Sequence, residues 1–425
     1  MSLANALGIS PSFYPDEVAL GIPSWVLHPG GNYATLDIDF VNNRAYNSAG
    51  ALTTPSIASL LTCSRASSGY YTNADGTLTN FGNNVLRYGT NGLLVEGGRT
   101  NIVLQSSTIG VAPWVQNMGS PTTSLVTGPD GVANSATQIS SATNGANYYQ
   151  GVTCLPSTTY TISKIVKTIS GSTQQIVGSD STVFGGGANT LAGYATFNTS
   201  TLVWDDVQAG VSNKGYQALA NGWFLIWAVV TTNSSTTFFN LVEYAAGGIA
   251  STRDVFGHQC EAGSFPTSTI ITTSLSATRA ADVVSFSTTS WLSLTSGTFY
   301  ANCLAEAGYT FGGDIIGGGA NSNEVVQMTA NNFVGTYNGT TVLSALTGSS
   351  LWSTIAKGAI GYDATHSRVA CMGNGTVQSD ANTLAITTPI YIGCTNSVNQ
   401  VYAYIREMAY WNVKLSNANL QLVTT

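Results

Sequence analysis

Charge is what this chain of 425 residues has least of. Lysine and arginine number 13 and aspartate and glutamate 20, together 8% of the sequence, where an ordinary soluble domain carries about 25%. With so few cations, a net charge of -7 and a pI of about 4.8, no basic face for nucleic acid can be assembled. Histidine occurs only at His28, His258 and His366. The sequence holds no His-Glu-x-x-His, no Gly-x-Ser-x-Gly elbow and no P-loop, which removes the common zinc-protease, serine-hydrolase and nucleotide-binding signatures. Long apolar runs are missing too. The densest, Trp223 to Val230, is far short of the ~20 residues a membrane-spanning helix needs, so no membrane insertion is expected. No lysine or arginine precedes Arg44, so the basic start of a secretory signal is lacking and folding in a cytoplasm is expected. The six cysteines, Cys63, Cys154, Cys260, Cys303, Cys371 and Cys394, form no Cys-x-x-Cys pair, which argues against a zinc site and a dense disulfide framework. They read as reduced core thiols.

What is present is a hydrophobic fraction of 43% and 46 glycines. Strand-like alternation recurs, as in Thr159-Tyr160-Thr161-Ile162-Ser163 and in residues 297–304, and helical periodicity is rare. Asp75-Gly76, Asp130-Gly131, Asn338-Gly339 and Asn374-Gly375 supply turn signals between such runs. Short strands separated by Gly/Asn turns predict an all-β chain of antiparallel sandwiches, and the lack of a fixed repeat argues against a β-helix. Four segments follow. Residues 1–34, interrupted by Pro11, Pro15, Pro23 and Pro29, read as an extended arm. Residues 35–100 form a compact arginine-bearing module, residues 101–286 one large sandwich, and residues 291–425 a second. Short helical turns are expected at 56–62 and at 416–423, where Ser416 is a fitting N-cap.

Several stretches belong together: SRASSGYYTNADG at 64–76, GLLVEGGRTN at 92–101, CEAGSFPTSTIITT at 260–273 and TRAAD at 278–282. In this order they resemble tail-fibre and other virion structural proteins of bacteriophages and prophages. The resemblance implies a small adaptor-like module followed by a jelly roll similar to carbohydrate-binding modules. The ending YIREMAYWNVKLSNANLQLV at 404–423 looks like the last strand and tail of a concanavalin A/laminin-G-like sandwich. The resemblance runs from about Thr35 to the C-terminus and matches nothing in the first 34 residues. It implies a non-enzymatic tail fibre, spike or tail-associated appendage engaged in host attachment, made in the bacterial host cytoplasm and carried in the virion. It further implies a homotrimer docked on other virion proteins through residues 1–34. A capsid decoration protein or head fibre would use the same parts, as would a lectin module for host surface glycans.

The residues themselves point to candidate sites. Arg44, Arg65, Arg87 and Arg99 fall in residues 35–100 without one lysine. Arginine's five-donor fork suits it to bridging carbonyls and carboxylates. The partners nearest in motif are Asp75, Glu96, Glu261 and Asp282, the last beside Arg279. This set reads either as buried struts at a domain junction or as a site for an acidic sugar or phosphate, and the struts are favoured because buried charges need partners. For glycan contact, Tyr148, Tyr149, Tyr309 and Trp352 lie beside polar turns and offer apolar platforms, whereas Trp223 and Trp227 read as core. No catalytic residue, metal ligand or cofactor is assigned. Asp205 and Asp206 would face opposite sides of a strand, no facing carboxylate pair can be named, and Asp314, Asp363 and Asp380 lack a full calcium loop around them.

Overall fold

The computed structural model describes residues 22, 24–48, 55–117, 119–142, 147–179, 193–246, 249–305, 313–318, 323–328, 333–337, 342–346, 355–363, 368–372, 377–380, 386, 388–395, 398 and 400–425. Most of the expected arm therefore lies outside the described residues. Within them, regular structure is almost entirely antiparallel strand, and the all-β expectation holds. The helical turns expected from sequence form at Ile57–Leu60 and Asn417–Thr424, the latter capped by the Ser416 hydroxyl accepting from the Asn419 amide at 3.3 Å. No helix among the described residues is long and apolar enough to cross a membrane.

Strands from Val115 to Ala262 build one sandwich of two six-stranded sheets. The first sheet runs Thr122–Val126, Ala136–Ser141, Ser251–Ala262, Thr159–Gly171, Phe224–Thr231, Val211–Ala218. The second runs Val203–Val207, Gly193–Asn198, Gln174–Ser179, Phe238–Glu243, Tyr148–Thr153, Val115–Gln116. Side chains alternate across a strand, so Ile226, Ala228 and Val230 point inward to meet Val177, Phe197, Phe239 and Leu241 of the facing sheet. The dense run around Trp223 and Trp227 is apolar on its other side as well, and both tryptophans are buried. That outer face is covered by a hairpin, Gly69–Thr72 paired with Leu78–Phe81, whose Leu78 and Tyr70 pack with Trp223, Leu219 and Phe256.

The second sandwich has a nine-stranded and a seven-stranded sheet. In the larger, Arg44–Asn47, Leu36–Asp39, Ala403–Trp411, Gly297–Ala305, Ile355–Tyr362, Arg368–Met372 and Val377–Asp380 lie side by side. The edge of Ala403–Trp411 that receives Leu36–Asp39 also receives Gly92–Val95, one strand pairing residues 407–410 and the other residues 403–405. The smaller sheet includes Leu61–Ser64 and Val283–Phe286 next to Ile390–Ile392. Residues 35–100, read from sequence as a module, are thus shared out among both sheets of this sandwich, and the hairpin at 69–81 forms a two-stranded sheet of its own. The physical reason is burial on both faces: every residue of Leu36–Asp39 and of Gly92–Val95 is buried, which two four-residue strands cannot achieve alone.

The first sandwich is consequently an insertion into the second. Its entry, Arg99–Asn101, and its exit, Ala277–Arg279, run antiparallel as a two-stranded ribbon. The hairpin at 69–81 wedges between the two bodies, and its alternation decides which side chain serves which. Tyr70 meets Phe256 of the first sandwich edge-on at 5.8 Å and donates to Asp130 at 3.0 Å. Tyr71 meets Tyr404 of the second at 5.5 Å and donates to the Gly92 carbonyl at 2.9 Å. Gly92 itself has a φ of +119°, and a Cβ there would stand 2.5 Å from the Ile405 carbonyl oxygen, so this close pairing requires glycine.

Residues 24–34 and the C-terminal helix cover the outer face of the nine-stranded sheet. Val26, Ala34, Leu415, Leu420 and Val423 enclose Trp411, which is fully buried and donates its indole N–H to the Asn32 carbonyl at 2.8 Å. Trp411→Ala is expected to cost about 3–5 kcal/mol, the range for emptying a large aromatic site, measured as a lowered urea midpoint with an unchanged slope.

Candidate functional site

Seven of the residues singled out in the arginine-bearing motifs, Arg65, Arg87, Glu96, Arg99, Glu261, Arg279 and Asp282, come together at the boundary between the sandwiches, whereas Arg44 pairs with Asp39 elsewhere. Asp282 is the centre. Its Oδ1 accepts from Arg65 at 2.8 Å, its Oδ2 accepts from the Arg87 guanidinium and from the Glu96 backbone amide at 2.9 Å, and Arg279 stands 4.0 Å away. Glu96 in turn pairs with Arg87 at 2.8 Å and Arg279 at 3.4 Å, and accepts from the Ser268 amide and hydroxyl at 2.8 and 2.6 Å. All five side chains are buried. Further arginine donors reach carbonyls, Arg65 on Ser67, Gly82 and Val85, Arg87 on Tyr70 and Arg279 on Gly97, and Arg87 also donates to the Ser268 hydroxyl at 2.8 Å. Burial by itself would raise the Glu96 carboxyl, but Arg279, Arg87 and the Ser268 donors outweigh it and hold the group at about 2.

Arg99 and Glu261 form a looser extension. They stand 3.9 Å apart, and the guanidinium lies over the rings of Phe265 and Tyr402. Asp75 is not part of this network. It is exposed, sits in its own turn and accepts from the amide and hydroxyl of Thr77, which holds its carboxyl below the ordinary value. Proximity in the motif placed it among the struts, and the turn at Gly76 carries it away.

A second buried network was not legible in the sequence. Glu243 accepts from Lys164 at 2.6 Å, Arg253 at 2.5 Å and His258 at 2.7 Å, joining strands of both sheets of the first sandwich. Burial would raise Glu243, and the Lys164 and Arg253 charges with the His258 hydrogen bond overcome it and hold the group well below its ordinary value. Burial lowers His258, whose ring packs on Trp114 with centroids 5.0 Å apart. A lysine within Ile162-Ser163-Lys164-Ile165-Val166 was the one available signal, since a charge on a buried strand demands a partner.

The aromatic platform candidates fare differently. Tyr148 is 5% exposed and donates to the Pro121 carbonyl at 3.2 Å, so it is core and no platform; the alternation of its strand turns it inward. Tyr149 packs beside Ile176 and Val242. Tyr309 and Trp352 lie outside the described residues. Asp363 pairs with Lys414 at 3.0 Å, Asp314 is buried within Gly313–Gly318, and no cluster able to hold a metal is found among the described residues.

An open cleft of about 690 Å³ lies on the outer face of the nine-stranded sheet, beside the cover formed by residues 24–34 and the C-terminal helix. That is the size range of small-molecule sites. Strand register lays a row of polar side chains along its floor: Arg44 opposite Asp39, Asp39 opposite Glu407, Glu407 opposite Asn302, and Asn302 opposite Lys357. Directly opposed residues share a face, so five strands contribute one continuous stripe. Arg44 grips Asp39 at 2.8 and 2.9 Å, and its guanidinium lies over the Trp25 ring. Glu407 accepts from the Tyr300 hydroxyl at 3.4 Å. Burial, then the Asp39 charge, push its carboxyl up to about 7. Burial and Glu407 likewise raise Asp37, which lies two residues from Asp39 on the same strand.

No family model matches this sequence, and no curated protein matches it. Among solved structures, the CBM40 of Ruminococcus gnavus IT-sialidase bound to α2,3-sialyllactose is similar at 15% identity, covering 31% of this chain and 83% of its own, with a TM-score of 0.26. The binding domain of botulinum neurotoxin serotype D is similar at 13% identity, covering 34% and 40%, with a TM-score of 0.26. Trypanosoma rangeli sialidase in complex with sialic acid is similar at 9% identity, covering 85% and 98%, with a TM-score of 0.27. Likeness of that degree assigns neither ligand nor activity to this chain.

Two measurements bear on these sites. Asp282→Asn is expected to destabilise the protein by about 3–5 kcal/mol, because it breaks a buried pair and leaves guanidinium charge uncompensated. Asp75→Asn, on the exposed turn, serves as the control and should leave the urea midpoint unmoved. The second concerns Glu407. An unfolded chain releases its proton near pH 4.5 and the folded one near 7, so between those values the native state binds more protons and stability falls as pH rises. Glu407→Gln should therefore raise the urea midpoint at pH 8 and not at pH 4; an equal gain at both values would rule this ionisation out.

Proposed function

We propose that this chain is a non-enzymatic structural component of a bacteriophage virion, a tail fibre, spike or tail-associated appendage engaged in host attachment. One observation supports the reading above the others. The four segments that resemble phage virion proteins, 64–76, 92–101, 260–273 and 278–282, meet at one place, through Arg65, Glu96, Ser268, Arg279 and Asp282. Their shared product is mechanical: a rigid weld between two sandwiches, which suits a part that must project and bear load. In this reading residues 1–34 dock the chain on other virion proteins and copies associate as a homotrimer. A capsid decoration protein or head fibre would need the same weld.

The cleft favours a second role within that reading, glycan binding, because its floor presents carboxylate, amide and cationic groups suited to sugar hydroxyls. Asp39 and Glu407 stand side by side on that floor. Glycosidase carboxylates flank the scissile bond instead, and Asp39 is held by Arg44 and by the Asn42 side-chain amide at 2.6 Å. The arrangement therefore suits holding a sugar better than cutting one.

Immunogold labelling with antibody to residues 101–425 should mark an appendage on intact particles. Deleting residues 1–21, which spares the cover at 24–34, should remove the label while leaving a soluble β protein. Label absent from particles that package normally, or shortened polysaccharide chains after incubation with the protein, would overturn the proposal.

A further inference from the structure

We propose that the cleft is a binding site for an acidic glycan, whose carboxylate is held by Arg406 and Lys357 while its hydroxyls meet Glu407 and Asn302. The inference rests on the glycan-binding reading of the cleft and adds the charge of the ligand.

Its first support is where the cations are spent. Of 13 in the whole chain, three line this cleft: Arg44, Lys357 and Arg406. Arg44 is committed to Asp39. Lys357 donates to the terminal carboxylate of Thr425 at 3.2 Å, and Arg406 makes one long contact, 3.4 Å, with the Asn91 carbonyl. Neither has an Asp or Glu partner at ion-pairing distance among the described residues. By contrast, Arg65, Arg87, Arg253 and Arg279 are each buried against a carboxylate. Arg406 without a carboxylate partner at ion-pairing distance, and beside it Lys357 held by a terminal carboxylate at the cleft's edge, leave a place for an anion brought from outside.

The second support is backbone geometry. Asn302 pairs with Glu407, but Cys303 pairs with Ile405, so Arg406 is the extra residue of a β-bulge. Neighbours on an unbroken strand face opposite sides of a sheet, and a bulge re-aims one of them. Here it lets Arg406 and Glu407, adjacent in sequence, line the same cleft. The bulge is built into the fold: the Arg406 carbonyl accepts from the Phe40 amide at 3.0 Å, where Gly92–Val95 and Leu36–Asp39 meet end to end.

The third is the polar company. The Asn302 Oδ1 is buried and has no partner among the described residues, which leaves an acceptor for a sugar hydroxyl. Glu407, pushed up to about 7, can present a proton as well as accept one, and as the neutral acid it does not repel a bound carboxylate.

The test uses the full chain on an array of carboxylate-bearing bacterial oligosaccharides beside their carboxyl-reduced forms, with affinities measured by calorimetry. The expected result is binding of acidic members, and a loss of about tenfold or more on carboxyl reduction and in each of Lys357→Met and Arg406→Met, as fits removal of a charge-assisted contact. Lys357→Arg should restore most of the affinity. Thermal melts establish that the variants fold. Equal binding of the acidic and reduced forms, or undiminished binding by both folded variants, would overturn the charge assignment while leaving glycan binding intact. Binding to neither form would overturn both.

Discussion

A single buried carboxylate, Asp282, carries the constraint on which the two-body architecture depends. Removing an ion from water costs several kcal/mol, so a carboxylate at this depth is tolerated only with Arg65 and Arg87 on its oxygens and the Glu96 amide beside them. Those partners come from the segments that lead into and out of the first sandwich. Asp282 and Glu96 share Arg87 and Arg279 as partners, so loss of one member weakens the others. The inserted sandwich therefore enters and leaves at one fixed point, with the ribbon of residues 99–101 and 277–279 beside the network.

The scarcity of charge is better understood once its distribution is known. Among the described residues, three clusters gather many of the ionisable groups. One welds the sandwiches, a second joins the two sheets of the first sandwich through Glu243, and a third lines an open cleft. Such buried networks add little net stability over a well-packed apolar core, and their use lies in geometric specificity. An apolar contact between bodies tolerates sliding, whereas a fork of guanidinium donors on Asp282 does not. The cleft differs from the two buried networks because it is open and its Arg406 has no Asp or Glu partner at ion-pairing distance among the described residues.

Strand identity, the class of the fold and the two helical turns were legible in the sequence, because alternation and capping are local and depend only on neighbouring residues. The division into consecutive segments was less so. A four-residue strand such as Leu36–Asp39 shows a local pattern but not its partner, which lies some 370 residues away in sequence along Ala403–Trp411. The arginine motifs pointed to acid partners, since arginines in a charge-poor chain must find acids, and Arg65, Arg87, Glu96, Arg279 and Asp282 lie in one network. Asp75 was misplaced because a type of residue says nothing of which way its turn points.

Composition and local pattern, then, determined that this chain is all-β, poor in charge and obliged to pair whatever charge it buries. Only the tertiary structure decided which acids meet which bases. It also decided that Tyr148 faces the core, and that Arg44, Asp39, Glu407, Asn302 and Lys357 form one row. The reason is that strand register and bulges are set by long-range packing. A shift of one residue would send each of those side chains to the opposite face, and no stretch of sequence records that choice by itself.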